Sequence, residues 1–543
     1  MAHPLTAWLT DPRAGRGIGF ADDSGGWTRV GYPELAADVR AAAAYLAARG
    51  AGPGTVVCVV MPSGRELVTT VFAAWAAGAT VSLPVPQTVQ PDAEYVARTA
   101  PVLRAAAPSV TVCGPEALRI LGRAWHEAGE PGVLLPPGTA PEQGPVLEPG
   151  EPALLQFTSG SSGTPKGVRV TGENLAANFR HIRRTLDFGP DSSMASWLPL
   201  HHDMGLIGCL LFTVSEQADL SLMRPDQFMR DPVRWLECFG PGGATHTAAP
   251  SFAFGYAARR TAPERIKELD LSGWRSVIVG AEPVDVRALA AFLRFAAPAG
   301  FSARTFQPGY GLAEGTLLVT ANPFRARVRV VRPAWAELTF GARVTIERES
   351  WLDEADGAEG WTAGHGLPAG GEVTVRIVGE DGESLPDGHL GEIVVGGGSV
   401  ADGYQDHPAP ETFVGGLLRT ADAGFVHEGR LYVLGRMGDS LKVSARSVYM
   451  EDLEGRVAAA AGLAPGRVCV VGAPGAGRPG VAVIADEAPG PWVDAARGFL
   501  REELGPMPVV SVATGPIRRT SSGKPRRRLM WSMLQEGRYS RLD

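Results

Sequence analysis

The chain has 543 residues, which at roughly 100–200 residues per domain gives several compact units. Hydrophobic residues make up 45% of the chain and charged residues 20%, a balance typical of folded globular proteins that excludes wholesale disorder. The net charge of −7 excludes the broad basic surface that nucleic-acid binders need, so we expect no nucleic-acid partner.

Cysteines and apolar runs indicate the compartment. The five cysteines are far apart and form no Cys-x-x-Cys pair, which argues against a disulfide framework or a zinc knuckle. The N-terminus reaches Asp11 before an apolar run long enough for a signal peptide has formed. Residues 67–91 carry no charge, but Gly78, Pro84 and Pro86 interrupt them, so we expect a helix-turn-strand element there. We therefore expect a cytoplasmic protein with no membrane span.

Apolar residues in the first half of the chain alternate between helical spacing and short β-branched runs. This pattern predicts helices over 35–46 and 175–186, and buried strands over 55–61, 153–157, 168–170 and 277–279. Thr171 is a good N-cap for the second helix. The fold class is therefore α/β, with a large N-terminal domain of stacked, partly parallel sheets.

Short β-branched runs separated by turns rich in Gly and Asp follow, and they predict a β subdomain over about 325–435. Its predicted strands include 373–378 and 392–395. Residues 332–361 are acidic and loosely patterned, so they form either a surface insertion or a long solvated loop.

A small α+β domain is predicted at the C-terminus, over 440–543. It follows a hinge at 436–439, so the large domain is expected over 1–435. The small domain is predicted to contain strands at 441–444 and 467–471 and a helix at 492–504.

A loop rich in glycine and hydroxyl groups directly follows the strand predicted at 153–157. It consists of Thr158, Ser159, Gly160, Ser161, Ser162, Gly163, Thr164, Pro165, Lys166 and Gly167. Glycines let backbone N–H groups approach a polyphosphate, hydroxyls donate to its oxygens, and a lysine neutralises charge. The spacing is not that of a Walker A loop. We interpret the segment as a phosphate cradle, the alternative being a flexible Ser/Gly linker.

This loop resembles the signature of the adenylate-forming enzymes, the superfamily of acyl-CoA synthetases, luciferases and peptide-synthetase adenylation domains. Later motifs of the superfamily have counterparts here in the same order, at 310–314, at 419–422, at Gly435-Arg436 with Asp439, and at 520–524. Segments 196–205, 270–283 and 399–404 resemble fatty acyl-AMP ligases in particular. In those ligases an extra segment follows the first of these motifs, and residues 332–361 fall in the matching place.

The resemblance extends from about residue 26 to the C-terminus and implies the adenylate-forming fold, with a mobile C-terminal domain. It implies that ATP and Mg²⁺ activate a fatty or other carboxylic acid as acyl-AMP, with release of pyrophosphate and transfer to an acyl carrier protein. An amide-forming or CoA-forming ligase is the alternative with the same first step. A non-catalytic nucleotide-binding regulator is a third, although the joint presence of Lys524, Glu314 and Asp422 argues against it.

The resemblance also implies individual roles. Lys524 would bridge the carboxylate and the α-phosphate, and Glu314 would hold Mg²⁺. Tyr310 would stack on adenine, Asp422 would accept both ribose hydroxyls, and Arg436 would contact ribose or phosphate. On the residues alone, a surface lysine, a core tyrosine and a turn aspartate are the plain alternatives.

His202 matches the family's histidine beside the incoming carboxylate and the acyl tunnel, and catalysis and positioning carry equal weight for it. Four further residues complete the predicted nucleotide site: Gly280, Ala281, Glu282 and Gly311. The acyl chain length depends on how tunnel side chains are placed, among them Ile207, Leu210 and Phe252.

The sequence departs from the family's pattern at three places. Ser162 replaces a threonine and Ala421 replaces a glycine, both mild changes. Residues 444–450 differ more strongly from the loop that faces the phosphopantetheine channel in relatives. The resemblance therefore supports adenylation more strongly than transfer to a standard carrier thiol.

Overall fold

Helices and strands alternate along the chain as the apolar pattern predicts. The computed structural model describes residues 3–87, 91–158, 165–356, 360–406, 408–437, 440–443, 446–464, 466–473, 480–505, 508–519 and 525–542. The α-helices are α1 (Ala7–Thr10), α2 (Tyr32–Ala47), α3 (Arg65–Ala76), α4 (Asp92–Ala106), α5 (Leu118–Glu127), α6 (Gly172–Leu186), α7 (Phe212–Ser215), α8 (Pro225–Arg230), α9 (Val233–Glu237), α10 (Ser251–Arg260), α11 (Pro263–Lys267), α12 (Val286–Ala296), α13 (Met450–Ala460), α14 (Trp492–Leu504) and α15 (Arg527–Gln535). The strands are β1 (Gly17–Ala21), β2 (Trp27–Gly31), β3 (Val56–Val60), β4 (Thr80–Ser82), β5 (Val110–Cys113), β6 (Val133–Leu135), β7 (Leu154–Thr158), β8 (Lys166–Val170), β9 (Ser193–Ser196), β10 (Asp219–Leu222), β11 (His246–Ala249), β12 (Ser276–Val279), β13 (Phe306–Gly311), β14 (Leu318–Ala321), β15 (Arg329–Pro333), β16 (Ile346–Trp351), β17 (Thr362–Ala363), β18 (Thr374–Val378), β19 (Gly391–Gly396), β20 (Phe413–Val414), β21 (Leu417–His427), β22 (Arg430–Arg436), β23 (Ser440–Val443), β24 (Arg446–Tyr449), β25 (Val468–Ala473), β26 (Gly480–Ala485), β27 (Val509–Thr514) and β28 (Ser540–Arg541).

Two sheets of mostly parallel strands form the N-terminal part. One has the strand order β14-β13-β12-β11-β9-β10-β1-β2, and the other has the order β6-β5-β3-β4-β7-β8. Both contribute to one hydrophobic core, in which the fully buried rings include Trp75 and Trp235. The edge strands β2, β14 and β8 pair antiparallel with their neighbours. This architecture confirms the predicted α/β class.

The predicted local elements are present in this part. The helix expected over 35–46 is α2, and Thr171 caps α6 through a capping box with Asn174. The uncharged stretch 67–91 contains most of α3 and then β4, which is the expected helix-turn-strand order. No helix within the described ranges combines the length and apolar character that crossing a membrane requires.

The β-rich part consists of two small antiparallel sheets. Strands β18, β19, β21, β20 and β22 form one, and β16, β15 and β17 form the other. The acidic stretch 332–361 is therefore not only a solvated loop, because β16 forms a hairpin with β15 in which Arg332 pairs with Arg348. Beyond β16, Trp361 is buried.

The C-terminal part has its own four-stranded sheet, ordered β25-β26-β27-β28. Helices α13 and α14 and strands β25 to β27 enclose a separate hydrophobic cluster that includes Leu453, Val483 and Leu500. The predicted helix over 492–504 is α14. The proposed domain boundaries and the hinge stay predictions, and Asp439 lies outside the described residues.

One buried histidine makes the stability of this fold depend on pH. His365 lies beside β22 with Nδ1 3.2 Å from the carbonyl oxygen of Leu431, and burial lowers the pKa of its imidazole to about 4. In the unfolded chain the same ring titrates near 6.5. The neutral ring therefore contributes fully to stability above pH 6.5, and that contribution is lost as the pH falls toward 4.

We expect the free energy of unfolding of the wild type to fall by about 2 kcal/mol more between pH 7 and pH 5 than that of His365→Gln. Glutamine is a suitable replacement because it can still donate to the Leu431 carbonyl but does not titrate. Urea unfolding of both proteins at the two pH values measures the difference. An equal fall in both proteins would contradict this role of His365.

Candidate active site

Tyr310 and Asp422 meet where the eight-stranded sheet adjoins the β-rich part. Tyr310 lies on β13 and is buried, and its hydroxyl donates a hydrogen bond to Asp422 Oδ2 at 2.7 Å. Arg436 pairs with Asp422 across β21 and β22, with Nε 3.2 Å from Oδ1. Burial and the Asp422 carboxylate raise the pKa of Tyr310, so its hydroxyl stays protonated as a donor. The three residues predicted for the adenosine end of ATP thus lie together.

A local distortion of β21 presents the Asp422 carboxylate. Ala421 has a φ of 57°, in the left-handed region, and its N–H donates to Glu392 Oε1 at 3.0 Å. The N–H of Asp422 donates to the hydroxyl of Thr420 at 3.0 Å. Glycine would adopt this positive φ without steric cost, whereas alanine adopts it with some strain.

The segment after β12 passes next to β13. A Cβ on Gly280 would lie 2.7 Å from the carbonyl oxygen of Gly309, so only glycine fits there without a backbone shift. Ala281 has a φ of 67°, and Glu282 Oε1 accepts a hydrogen bond from the N–H of Phe252 at 3.1 Å. Because β12 and β13 are parallel neighbours, this segment and Tyr310 lie at the same edge of the sheet.

Glu314, Tyr404 and Lys166 form a second group next to the predicted phosphate loop. The hydroxyl of Tyr404 donates to Glu314 Oε1 at 2.7 Å, and Nζ of Lys166 lies 4.9 Å from the centroid of the Tyr404 ring. Burial and the Glu314 carboxylate raise the pKa of Tyr404. Thr158 and Lys166 pair across β7 and β8, which brings the two ends of the predicted phosphate loop together. Residues 159–164 of that loop lie outside the described residues.

Two histidines follow β9. The rings of His201 and His202 lie 4.6 Å apart, and Gln156 Nε2 donates to the carbonyl of His201 at 3.1 Å. Burial and the neighbouring charges of His202 and Arg98 lower the pKa of His201 well below its usual value. Because Gln156 lies on β7, this hydrogen bond links the histidines to the strand that leads into the predicted phosphate loop.

A π-helical segment, Met204–Leu211, continues from these histidines. π-helical turns occur often at functional sites because they widen the helix locally. Among the predicted tunnel side chains, Ile207 and Leu210 are fully buried. Phe252 is 46% exposed and meets the ring of Trp197 edge-on at 6.0 Å.

Lys524 lies outside the described residues, together with 520–523. Arg519 and Pro525 form an isolated β-bridge on either side of it. Burial and the guanidinium of Arg526 lower the pKa of Arg98 on α4. The positive charge of Arg98 in turn contributes to the lowered pKa of His201.

Comparison with known proteins gives the family. A family model described as AMP-binding enzyme matches residues 16–405. The chain belongs to the AMP-binding enzyme family. A long-chain-fatty-acid–AMP ligase, FadD26, from Mycobacterium marinum is 32% identical over 534 residues, covering 90% of this chain and 89% of the relative. A Caulobacter vibrioides protein named as an acyl-CoA synthetase is 32% identical over 519 residues, or 91% of this chain and 88% of that protein.

A solved structure agrees with the family assignment. It comes from a study of fatty acyl-adenylate ligases from E. coli and L. pneumophila, and it is 27% identical with a TM-score of 0.84. The match covers 98% of this chain and 97% of that one. The predicted adenylate-forming fold is therefore confirmed for this AMP-binding enzyme.

The residues of this AMP-binding enzyme also suit a magnesium ion. Oε1 of Glu314 accepts the hydrogen bond from the Tyr404 hydroxyl. The carboxylate has a second oxygen, Oε2, that can coordinate an ion. Mg²⁺ commonly takes one or two protein carboxylates and completes its shell with phosphates and waters. Glu314 would therefore be suited to hold a magnesium ion that neutralises phosphate charge.

The sequence analysis assigned no role to Tyr404. In the structure, this side chain lies between Glu314 and Lys166, to which roles were assigned. Its signal was the Gly403-Tyr404 pair, which resembles fatty acyl-AMP ligases but lies outside the motifs to which nucleotide-binding roles were assigned. Its position depends on pairing with a segment 90 residues away in the chain. The roles of the other predicted site residues in this AMP-binding enzyme stay proposals.

Proposed function

We propose that the protein activates a fatty acid as acyl-AMP, using ATP and Mg²⁺ and releasing pyrophosphate, and then transfers the acyl group to an acyl carrier protein. One observation carries the proposal. Tyr310, which donates to Asp422, stands only four positions before Glu314, which accepts from Tyr404 beside Lys166. The residues that we assign to adenosine and those that we assign to the phosphates therefore adjoin on one short segment of chain.

The chemistry requires that two anions approach each other. A carboxylate oxygen of the acid forms a bond to the α-phosphorus while the bond from that phosphorus to pyrophosphate breaks, and pyrophosphate leaves with the electron pair. Lysines suit this step because they are point charges that stabilise the charge developing on the phosphates. Lys166 and Lys524 would do so, and Glu314 would hold Mg²⁺, which neutralises charge on the β- and γ-phosphates when bound.

Pyrophosphate release with a panel of carboxylic acids tests the proposal. We expect release that depends on ATP, Mg²⁺ and a fatty acid, and an acyl-AMP of matching mass when a mixed fatty-acid pool is supplied. No release with any acid would favour the non-catalytic regulator instead. Release with short or amino acids only would keep the adenylation step and reject the fatty substrate.

A CoA-forming ligase is the second candidate, and the name of the Caulobacter vibrioides relative favours it. The stretch from 332 to 361 supports the carrier protein instead. Residues of this stretch pack with Leu390 and Phe425 of the β-rich part, and Trp335–Glu337 lie within 8 Å, between Cα atoms, of β24 in the C-terminal part. Such a contact would favour one orientation of the C-terminal part over another.

We expect CoA to be a poor acceptor because it has no protein surface with which to offset that preference, whereas a carrier protein has one. Replacing 335–344 with a short glycine turn should raise the rate of acyl-CoA formation about tenfold for each 1.4 kcal/mol of preference removed. The register supports this design, since Pro333 and Ile346 are already paired at the end of the β15–β16 hairpin.

Acyl-CoA formation and pyrophosphate release are measured on both proteins, and the latter serves as the control because adenylation should not change. Trp335→Ala is a milder variant that removes one side chain and keeps the hairpin connection. Efficient acyl-CoA synthesis by the unmodified enzyme would contradict this prediction.

A further inference from the structure

Tyr404 lies between the two charged groups that the proposed function assigns to phosphates. Its hydroxyl donates to Glu314 Oε1 at 2.7 Å, and its ring centroid lies 4.9 Å from Nζ of Lys166. A hydrogen bond to a carboxylate and an ammonium group over an aromatic face are both charge-assisted contacts. One side chain thus touches both charges of the phosphate end.

The backbone around Tyr404 is anchored to β8. Gln405 N–H donates to the carbonyl of Gly167 at 2.7 Å, and Arg169 N–H donates to the carbonyl of Gly403 at 2.9 Å. Asp402 N–H returns a bond to the carbonyl of Arg169 at 2.9 Å. These bonds make the segment around Tyr404 a short antiparallel partner of the strand that begins at Lys166.

A second set of bonds anchors the same segment to the turn that carries Glu314. Ala401 N–H donates to the carbonyl of Glu314 at 2.9 Å, and the hydroxyl of Thr316 donates to the carbonyl of Ser399 at 2.7 Å. Phe413 packs edge-on against the ring of Tyr404, with centroids 5.3 Å apart. The tyrosine is therefore held from both sides, which fixes the distance between its two charged neighbours.

We propose that Tyr404 is a positioning residue that orients Glu314 for Mg²⁺ through its hydroxyl and holds Lys166 for the phosphates through its ring. The inference rests on the proposed function, because it takes Glu314 and Lys166 as ligands of Mg²⁺ and ATP. It goes further by assigning the two contacts to separate parts of one side chain. Substitutions can therefore separate them.

The test is the affinity for ATP measured by calorimetry with Mg²⁺ and in EDTA. Tyr404→Phe removes the hydroxyl and keeps the ring, so we expect affinity in EDTA to be unchanged and the Mg²⁺ enhancement to fall about tenfold. Tyr404→Leu removes both groups, so affinity in EDTA should also fall, by roughly two- to fivefold.

Two background variants sharpen this test. In Glu314→Gln, where the Mg²⁺ ligand is already lost, adding Tyr404→Phe should change nothing, because coupled residues are not additive. In Lys166→Met, the difference in EDTA between Tyr404→Leu and Tyr404→Phe should disappear for the same reason. Full additivity in both backgrounds would overturn the inference.

The outcomes also separate this inference from the proposed function. A Tyr404→Phe protein that keeps the full Mg²⁺ enhancement, or loses affinity equally with Mg²⁺ and in EDTA, overturns the role of Tyr404 alone. A wild-type protein that does not bind ATP overturns both. If Tyr404→Leu fails to fold, Tyr404→Phe still decides, since it keeps the packing against Phe413.

Discussion

Lys524→Ala is expected to slow acyl-AMP formation by roughly 10²–10³-fold while leaving the fold intact. The lysine would stabilise the charge that develops at the α-phosphate, and alanine offers no donor there. Pyrophosphate release measures the step. Transfer from chemically prepared acyl-AMP should survive, because the thiol attacks the acyl carbon, AMP leaves, and no bond to phosphorus forms or breaks in that step.

Lys267→Ala is the matched control for this prediction, since Lys267 is an exposed lysine at the end of α11. We expect it to keep the wild-type rate of adenylation. Near wild-type adenylation by Lys524→Ala itself would show that the assigned role is wrong.

Asp422→Ala should raise the apparent KM for ATP by roughly five- to 150-fold, with much less effect on the KM for the acid. The proposed acceptor of both ribose hydroxyls is lost in this variant. The same carboxylate accepts from the Tyr310 hydroxyl at 2.7 Å, so the variant also leaves a buried donor without its acceptor. We therefore expect its melting temperature to fall as well.

Asp422→Asn separates these two effects. Its side-chain oxygen can still accept from Tyr310, which preserves stability, but it carries no charge and binds the ribose hydroxyls more weakly. Both KM values come from pyrophosphate release, and thermal unfolding gives the stability. An unchanged KM for ATP in both variants would remove Asp422 from the nucleotide site.

Local signals explain which parts of the fold could be predicted. The helix after Thr171 has its capping box and its apolar face within one stretch of sequence, so both its start and its type could be predicted. The hairpin strand β16 could not, because none of its side chains is fully buried, half are exposed, and they show no apolar alternation. The π-helical segment Met204–Leu211 is apolar at every position, so no periodicity distinguishes it from an α-helix.

The sequence motifs predict which residues belong to the candidate site, but they do not predict the contacts between those residues. The motifs identified Tyr310 and Asp422 separately, yet their hydrogen bond joins positions 112 residues apart. The link from Tyr404 to Glu314 spans 90 residues. Pairings of this kind depend on the register of the sheets, and a single sequence does not reveal that register.

The bond between Tyr310 and Asp422 joins two different sheets, since β13 belongs to the eight-stranded sheet and β21 to the five-stranded one. A nucleotide that binds across that junction binds only when both sheets are folded. It would therefore raise the free energy of unfolding of the two sheets together. At a free ATP concentration one hundred times its Kd, the gain is about 2.7 kcal/mol. Because Val319 of the first sheet shares a hydrophobic cluster with Ile393 and Leu418 of the second, the two sheets should unfold together, at a higher temperature when ATP is bound.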